Sequence, residues 1–368
     1  MRTREVEILV VGGGITGVCT AYFLGQNGHE VVLVERKTIG AEASGRNAGS
    51  IALQNKRLHL VPLCRRGIET WRELDETVAG LDFTPSGGLR VAETPDDVKI
   101  LDRELKLQNR LGLDVERLSK GDTARVAPYL ARDLAAANYC PWDAFVDALR
   151  STEKIAAAAV DDGAEILNHH SATGFRWISD SEVEVDVGDV TFSCRTLILA
   201  AGAWTESVAL LLGSRLPIVV RMNQMIVTPR ISPLIHHMIS HARGILTLKQ
   251  VANGSVLIGG GWQGTGDLER DEVRPTLDSV IGNASVAARI VPPLSHVEAI
   301  RTWAGFDCRT KDERPVIGKL PGKPNVLVGA GCIGGYVAGP FIGKLLNQLV
   351  HDGKPEMDLD DFSPGRFV

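Results

Sequence analysis

At 368 residues the chain exceeds what one hydrophobic core supports, because single cores stop growing near roughly 250 to 300 residues, and two interleaved domains are expected. A composition of 44% hydrophobic and 23% charged residues with 39 glycines belongs to a folded α/β protein with many close turns and excludes a disordered chain. The net charge of -5 excludes the basic face that phosphate neutralisation requires, so a small molecule rather than nucleic acid is the expected partner.

Six cysteines, Cys19, Cys64, Cys140, Cys194, Cys308 and Cys332, are scattered without a C-x-x-C pair. That spacing argues against zinc or an iron-sulfur cluster and for reduced thiols. After the charged Met1 to Glu7 stretch only Ile8 to Val11 are apolar before three glycines, too short a run for a signal peptide. No segment approaches the roughly 18 to 20 apolar residues of a membrane span. A cytoplasmic location is the expectation.

In chain order, Val6 to Val11 reads as a strand buried on both faces, Ile15 to Gln26 as a helix closed by Asn27-Gly28, and Val31 to Val34 as a second strand. The region from Leu81 to Tyr139 reads as an insertion with a charged helix from Pro95 to Leu111. Ala148 to Val160 is an expected Ala-rich helix, followed by a short strand at Glu165 to Leu167 and a hairpin from Gly174 to Phe192. Thr196 to Ala200 is another buried strand. From Met222 to Asp307 the alternating segments Gln224 to Thr228, Ile245 to Gln250 and Ser255 to Gly259 predict a mixed sheet, roofed by a helix from Leu277 to Ile290 that stops at Pro292-Pro293. Val326 to Val328, Gly329 to Gly335 and Val337 to Val350 repeat strand, Gly-rich turn and helix.

Gly12-x-Gly14-x-x-Gly17 lies between a predicted strand and a predicted helix, the context in which this pattern binds a dinucleotide. The first glycine permits the turn, the second admits a pyrophosphate, and the third lets helix and strand pack closely. Unpaired N–H groups at the helix start favour the phosphates. Glu35 ends the second strand eighteen residues after Gly17, where a carboxylate accepts hydrogen bonds from ribose hydroxyls and repels a 2'-phosphate. These features leave NAD and FAD both open.

The next segment is a small-residue loop, Gly40-Ala41-Glu42-Ala43-Ser44-Gly45-Arg46-Asn47-Ala48-Gly49-Ser50. Together with Ala200-Ala201-Gly202-Ala203-Trp204, Gln224-Met225-Ile226-Val227-Thr228, Trp303-Ala304-Gly305 and Gly329 to Tyr336, it makes the chain resemble the D-amino acid oxidase superfamily. The branch is that of glycine oxidase, sarcosine oxidases and the β subunits of heteromeric opine, proline and hydroxyproline dehydrogenases. The likeness runs almost the whole length. It implies an α/β fold: a Rossmann-like FAD-binding domain of glutathione-reductase type, made of residues 1–80, 140–215 and 305–368, and a second α+β substrate domain on a mixed antiparallel sheet, made of residues 81–139 and 216–304.

By position, the resemblance implies that Gly12, Gly14, Ile15, Thr16, Gly17, Glu35 and Arg36 bind the adenosine diphosphate half of FAD. Ser44, Arg46, Asn47, Ala48, Gly49 and Ser50 would line pyrophosphate and flavin. Ala172 would touch the adenine, and Ala201, Gly202 and Trp204 would run near the ribityl chain. Gly331, Cys332, Ile333, Gly334, Gly335 and Tyr336 would form a late loop against the flavin pyrimidine, with the helix N-terminus stabilising negative charge on the reduced ring.

For the substrate the chain departs from the family. Glycine oxidases carry an arginine after Trp-Ala-Gly-Leu that grips the substrate carboxylate, whereas here Trp303-Ala304-Gly305-Phe306 is followed by Asp307. Replacement cations are sought in Arg301, Arg309, Lys249 and Arg57, a guanidinium matching a carboxylate bidentately and a lysine as a point charge. Ser50, Asp307, Arg309 and Tyr336 are further pocket candidates, and Asp307 suggests a substrate with a cationic or hydroxylated arm. Monomeric sarcosine oxidases attach FAD through a cysteine in this region, but Cys308 falls a few positions later, so noncovalent FAD is expected.

The activity implied is oxidation of the C–N bond of an amino acid or secondary amine by hydride transfer to flavin N5. The pair His169-His170 is read as solvent-facing. A heteromeric partner, carrying a second flavin or an iron-sulfur cluster, would receive the electrons in a dehydrogenase β subunit, and oxygen would in an oxidase. Rival readings are a tRNA-modifying flavoprotein, disfavoured by the acidic balance, a flavin hydroxylase, for which no second Asp-Gly motif is found, and a non-catalytic FAD-binding subunit.

Overall fold

The computed structural model describes residues 2–331 and 334–368. Among these, two eight-stranded sheets organise the chain. The first strand, Arg2–Val11, is apolar because it is central: Ile8, Leu9 and Val10 are fully buried, and parallel strands covered on both faces read as continuous hydrophobic runs. It pairs in parallel with Val31–Glu35 on one side and with Val190–Leu199 on the other, Val11 lying opposite Val34 and Leu199. Outward from these lie Glu165–Asn168 and Lys323–Ala330, both parallel, and the antiparallel Val316–Leu320. Strand Val190–Leu199 continues the expected hairpin and the expected buried strand as one element, because its first half also pairs with Glu182–Val187.

The helix Ile15–Gln26 has nine buried positions and touches apolar neighbours all round. It packs on the last helix, Gly335–His351, at very short range. A Cβ on Gly343 would lie 2.7 Å from the Thr20 amide nitrogen and one on Gly339 2.5 Å from Ile15 Cγ2. The helix Val61–Thr77 closes the same face, with Leu63, Cys64, Ile68, Trp71 and Leu74 turned inward. It was not among the expected elements, although that spacing carries the signal.

The second sheet runs in the order Arg301–Thr310, Ile218–Val227, Val256–Gly259, Thr247–Gln250, Met238–His241, Gly88–Ala92, Ala136–Cys140 and Glu116–Leu118. Neighbours are antiparallel except for Met238–His241 and Gly88–Ala92, so the sheet is mixed as expected. The insertion supplies three of its strands, and the helix Leu277–Ile290 covers it. Strand Arg301–Thr310 is paired along its whole length with Ile218–Val227, so an expected domain break between residues 304 and 305 falls inside a strand. The break at 139–140 likewise falls inside Ala136–Cys140.

The two sheets are stitched directly. Arg46 donates to Ala304 O at 3.0 Å, and Trp303 Nε1 donates to Arg46 O at 2.9 Å. Gly305 makes the approach feasible, since a Cβ there would lie 2.9 Å from Arg46 Cδ. No helix among the described residues is long and apolar enough to cross a membrane.

Candidate active site at the seam of the two sheets

Gly12 leaves the first strand with φ at +112°, a conformation natural to glycine. A Cβ on Gly12 would sit 2.4 Å from Ala200 O, and one on Gly17 1.9 Å from Gly12 O. Helix Ile15–Gln26 therefore starts on the turn with its first N–H groups facing outward. One of them, Ile15 N, donates to Ser44 Oγ at 2.8 Å. Glu35 accepts from Gly13 N and Lys37 N, both at 2.8 Å. An ionised carboxylate has about four acceptor sites, so two backbone donors orient it and leave capacity for hydroxyl groups.

Gly12, Gly14, Glu35, Arg36, Ser44, Ala172, Ala201, Gly202 and Trp204 line one cavity around this turn. The Arg36 guanidinium lies 3.8 Å above the Trp204 ring and pairs with Asp271 at 2.9 Å and Glu42 at 3.2 Å. Its charge is spent tying the second domain to the first. The exposed pair His169-His170 stands at the mouth, His170 on the lining.

A second cavity continues from the first, since Gly14, Ala43, Ser44, Ala200, Gly202 and Phe306 line both. From the first domain Ile15, Thr16, Arg46, Asn47, Ala48, Ser50, Gly331, Gly334, Gly335 and Tyr336 face it. Asn223, Gln224, Met225, Thr247, Asp307 and Cys308 face it from the second sheet. The loop between is folded by Asn47, whose Nδ2 donates to Ala43 O and Ser44 O at 2.9 Å while its Oδ1 accepts from Gly49 N at 2.6 Å. Gly49 is buried behind the lining, with φ at +62° and no room for a Cβ beside Val146 O at 2.2 Å. Cys332 and Ile333 lie outside the described residues.

Two buried polar atoms of residues on this lining, Ser50 Oγ and Asn55 Oδ1, have no partner among the described residues. An unsatisfied buried polar atom costs about 1–3 kcal/mol, and two beside one space suit a bound polar molecule.

A long cavity from a glycine turn, past an acidic strand end, to a seam between domains suits an extended dinucleotide, and the family says which. Residues 7–349 match the family DAO: FAD dependent oxidoreductase. The chain belongs to this family. It is an FAD-dependent oxidoreductase. It is 26% identical over 376 residues to glycine oxidase of Geobacillus kaustophilus, spanning 100% of this chain and 98% of the relative. Sarcosine oxidase subunit beta of Rhizobium meliloti is 25% identical over 377 residues, spanning 98% of this chain and 88% of the relative. The crystal structure of L-proline dehydrogenase from P. horikoshii matches with a TM-score of 0.90 and 26% identity, covering 99% of this chain and 98% of that one.

The side chains that resemblance placed near the substrate divide into two groups. Ser50 and Asp307 face the second cavity. Asp307 accepts from Asn223 Nδ2 and from Cys308 N, each at 2.9 Å. Burial pushes its carboxyl up, opposed by those hydrogen bonds and by the charges of Lys56 and Arg221. Cys308 beside it is a protonated thiol, pushed up to about 12 by burial and by the Asp307 charge.

The other group has its polar atoms engaged elsewhere. Tyr336 contributes to the lining, but its hydroxyl donates to Ala148 O at 2.6 Å and meets Thr152 Oγ1 at 3.1 Å. Arg309 is off the lining and pairs with Glu313 at 3.3 Å. Arg57 is exposed and bonds the same Glu313. Arg301 is exposed at the far end of its strand. Lys249 is fully buried behind the lining, with Nζ donating to Val146 O at 2.6 Å and lying 4.6 Å from the Phe145 ring centre. Burial pulls its ammonium down to about 7.

Besides Arg46, which donates to Ala41 O and Ala304 O, Lys56 lines the second cavity, one residue before the Arg57 that sequence reasoning named among four cations. It sits on a turn closed by Lys56 N donating to Leu53 O at 3.0 Å. Four buried residues hold this turn. Asp143 accepts from Leu53 N at 2.7 Å, Gln54 Nε2 donates to Gly88 O at 2.8 Å, and Gln54 O accepts from Gln108 Nε2 at 2.8 Å and from Arg90. Asp143, wholly buried, is pushed up to about 6 by desolvation despite the hydrogen bonds it accepts. Nothing local in Leu53-Gln54-Asn55-Lys56 predicts this arrangement, because Gly88, Arg90 and Gln108 arrive from the distant insertion and Asp143 from the segment that follows it.

Proposed function

We propose that this enzyme oxidises the C–N bond of an amino acid or secondary amine held in the second cavity. The observation that carries the reading is the continuity of the dinucleotide cavity with a polar chamber bearing Ser50, Asn223 and Asp307 at the domain seam. Glycine oxidase, sarcosine oxidase subunit beta and L-proline dehydrogenase, the relatives named above, support it. The glycine turn, Glu35, Ser44, Asn47, Ala48, Ser50, Ala172, Gly202, Trp204 and the segment Gly331 to Tyr336 are the proposed FAD contacts. FAD, when bound, supplies a two-electron acceptor for the hydride leaving the substrate carbon as the C–N bond becomes C=N.

The chain's own contribution is placement. Asn223 and the Cys308 amide fix the Asp307 carboxylate, so that its free lone pairs aim at one spot in the chamber. The apolar Met225, Leu246 and Phe306 on the same lining keep water away from the reacting carbon. Noncovalent FAD remains the expectation, and the rise of the Cys308 thiol to about 12 through burial and the Asp307 charge supports it by disfavouring a thiolate; acid precipitation is expected to release all the flavin into the supernatant. A second reading, electron delivery to a partner subunit rather than to oxygen, is supported by the sarcosine oxidase subunit among the relatives.

The test is the visible spectrum of the holoenzyme under anaerobic conditions, titrated with primary, secondary and opine-type amino acids. Bleaching by one of them supports amine oxidation, and the speed of colour return on admitting air separates oxidase from dehydrogenase. A flavin that no amine bleaches, with or without an added electron-carrying partner, would sink the proposal.

A further inference from the structure

On the strand Arg301–Thr310 the side chains at 303 and 305 are turned to the first domain: Trp303 Nε1 meets Arg46 O, and a Cβ on Gly305 would meet Arg46 Cδ. Side chains two apart on a strand share a face, so Asp307 points the same way, toward the seam and its chamber. Asn223 lies opposite Gly305 in the neighbouring strand, and Gln263 bridges to Asn223 from the other side. Cross-strand partners share a face as well. Gln263, Asn223 and Asp307 therefore form one polar row that ends in the chamber.

The direction of every hydrogen bond in this row is dictated from its far end, because a backbone N–H can only donate and a backbone C=O can only accept. Gln263 Oε1 accepts from Met222 N at 3.2 Å and Nε2 donates to Gly261 O at 3.0 Å, so the amide has one orientation. Arg221 Nε, donating to the same Oε1 at 3.3 Å, agrees with it. Gln263 Nε2 also donates to Asn223 Oδ1 at 2.6 Å, which leaves Asn223 Nδ2 to donate to Asp307 Oδ2 at 2.9 Å. Asp307 Oδ1 accepts from Cys308 N. Both oxygens thus receive an N–H group, which favours the charged carboxylate. The positive charges of Lys56 and Arg221 act in the same sense, against the burial that opposes it.

We propose that Gln263 is a positioning residue which, through Asn223, holds Asp307 as an ionised acceptor, and that this acceptor selects a substrate bearing a second donor group, a hydroxyl or a cationic nitrogen. A carboxylate has about four acceptor sites, and the two left over by Asn223 and Cys308 are the ones a ligand meets. The donor belongs to an arm of the substrate and not to the reacting nitrogen. A carboxylate in contact with that nitrogen would hold it as an ammonium, without the lone pair that forms C=N. For the substrate this rests on the amine-oxidising reading above, and for the acceptor pole on the chamber alone.

The probes are guanidinium, a cation with N–H donors and no C–H bond to oxidise, and tetramethylammonium, a cation without donors. Each is titrated at millimolar concentration into the holoenzyme and followed by the shift of the flavin spectrum. The native enzyme is expected to prefer guanidinium by about tenfold or more, the worth of a hydrogen bond to a charged group. Because both probes carry one positive charge, their ratio reports the donor contact and not the net charge of a variant. Gln263→Met removes the donor to Asn223. Gln263→Glu keeps the shape and the bonds from Met222 N and Arg221 but has no N–H for Asn223, whose amide then turns its oxygen to Asp307. Both are expected to lower the preference by about tenfold, and Asp307→Asn to lower it at least as far. Combining Gln263→Met with Asp307→Asn lowers it no further, the non-additivity of residues in one network; a role in folding alone would add. An unchanged preference in both Gln263 variants overturns the positioning role, additive losses overturn its route through Asp307, and no preference in the native enzyme overturns the acceptor pole. The expected pattern in an enzyme whose flavin no amine bleaches leaves the pole standing and removes the amine-oxidising reading.

Discussion

Tyr336 and Lys249 show how a side chain at the right address is disqualified by where its polar atom points. The Tyr336 ring reaches the chamber, yet its hydroxyl is consumed by Ala148 O, and burial raises it far above the usual tyrosine range. Tyr336→Phe is therefore expected to keep kcat/KM within about threefold and to lower stability by about 1 kcal/mol, the usual worth of one buried hydrogen bond; steady-state kinetics and urea unfolding check both. Lys249 has no carboxylate in hydrogen-bond contact, only Val146 O and the Phe145 face. Its ammonium is held down to about 7, whereas an unfolded lysine titrates near about 10.4. Between these values the unfolded chain binds a proton that the native chain lacks, so this group makes stability rise with pH from about 7 to about 10. Lys249→Met should flatten that rise, which urea midpoints at the two ends of the range would reveal; an equal slope in variant and native protein would refute the assignment.

At the scale of elements, the strand–turn–helix unit at the N-terminus was legible because its requirements are local. Three glycines, a buried strand and a helix stop signal specify the turn without outside help, and the Cβ positions at Gly12 and Gly17 explain why glycine stands there. Gly17→Ala is expected to give protein without flavin, since the added methyl would meet the Gly12 carbonyl; absorbance near the flavin band of the purified variant decides this. The turn at residues 53–56 is the contrary case. Leu53-Gln54-Asn55-Lys56 has no turn signature, and its shape is imposed by Asp143, Arg90 and Gln108. Sequence reasoning accordingly named Arg57, which is exposed, among its four cations and passed over Lys56, which lines the second cavity.

At the scale of the molecule, the two sheets meet through specific polar contacts beside apolar packing, Ile218 and Val220 of the second joining the cluster that holds Leu199 and Val328 of the first. Arg46 reaches Ala304 O, Trp303 returns to Arg46 O, Lys249 reaches Val146 O, and Arg36 with Lys37 pairs with Asp271. The chamber lies between these stitches, so its width is set by them. Arg46→Ala removes one stitch and the side chain that fills the space against Gly305. The expected result is a weaker hold on FAD, by about tenfold or more, with the fold retained; flavin release during gel filtration and the far-UV spectrum would measure the two parts.

The sequence by itself determined the dinucleotide turn, the acidic strand end, the mixed second sheet and the small-residue loop, because each depends on periodicity or on glycine geometry within a few residues. The substrate pole, the fate of each cation and the strand membership of residues 305–310 were decided by tertiary structure alone. A charge or hydroxyl is available to a ligand only when no nearer partner claims it, and the carbonyls that claim Lys249 and Tyr336 come from segments more than a hundred residues away.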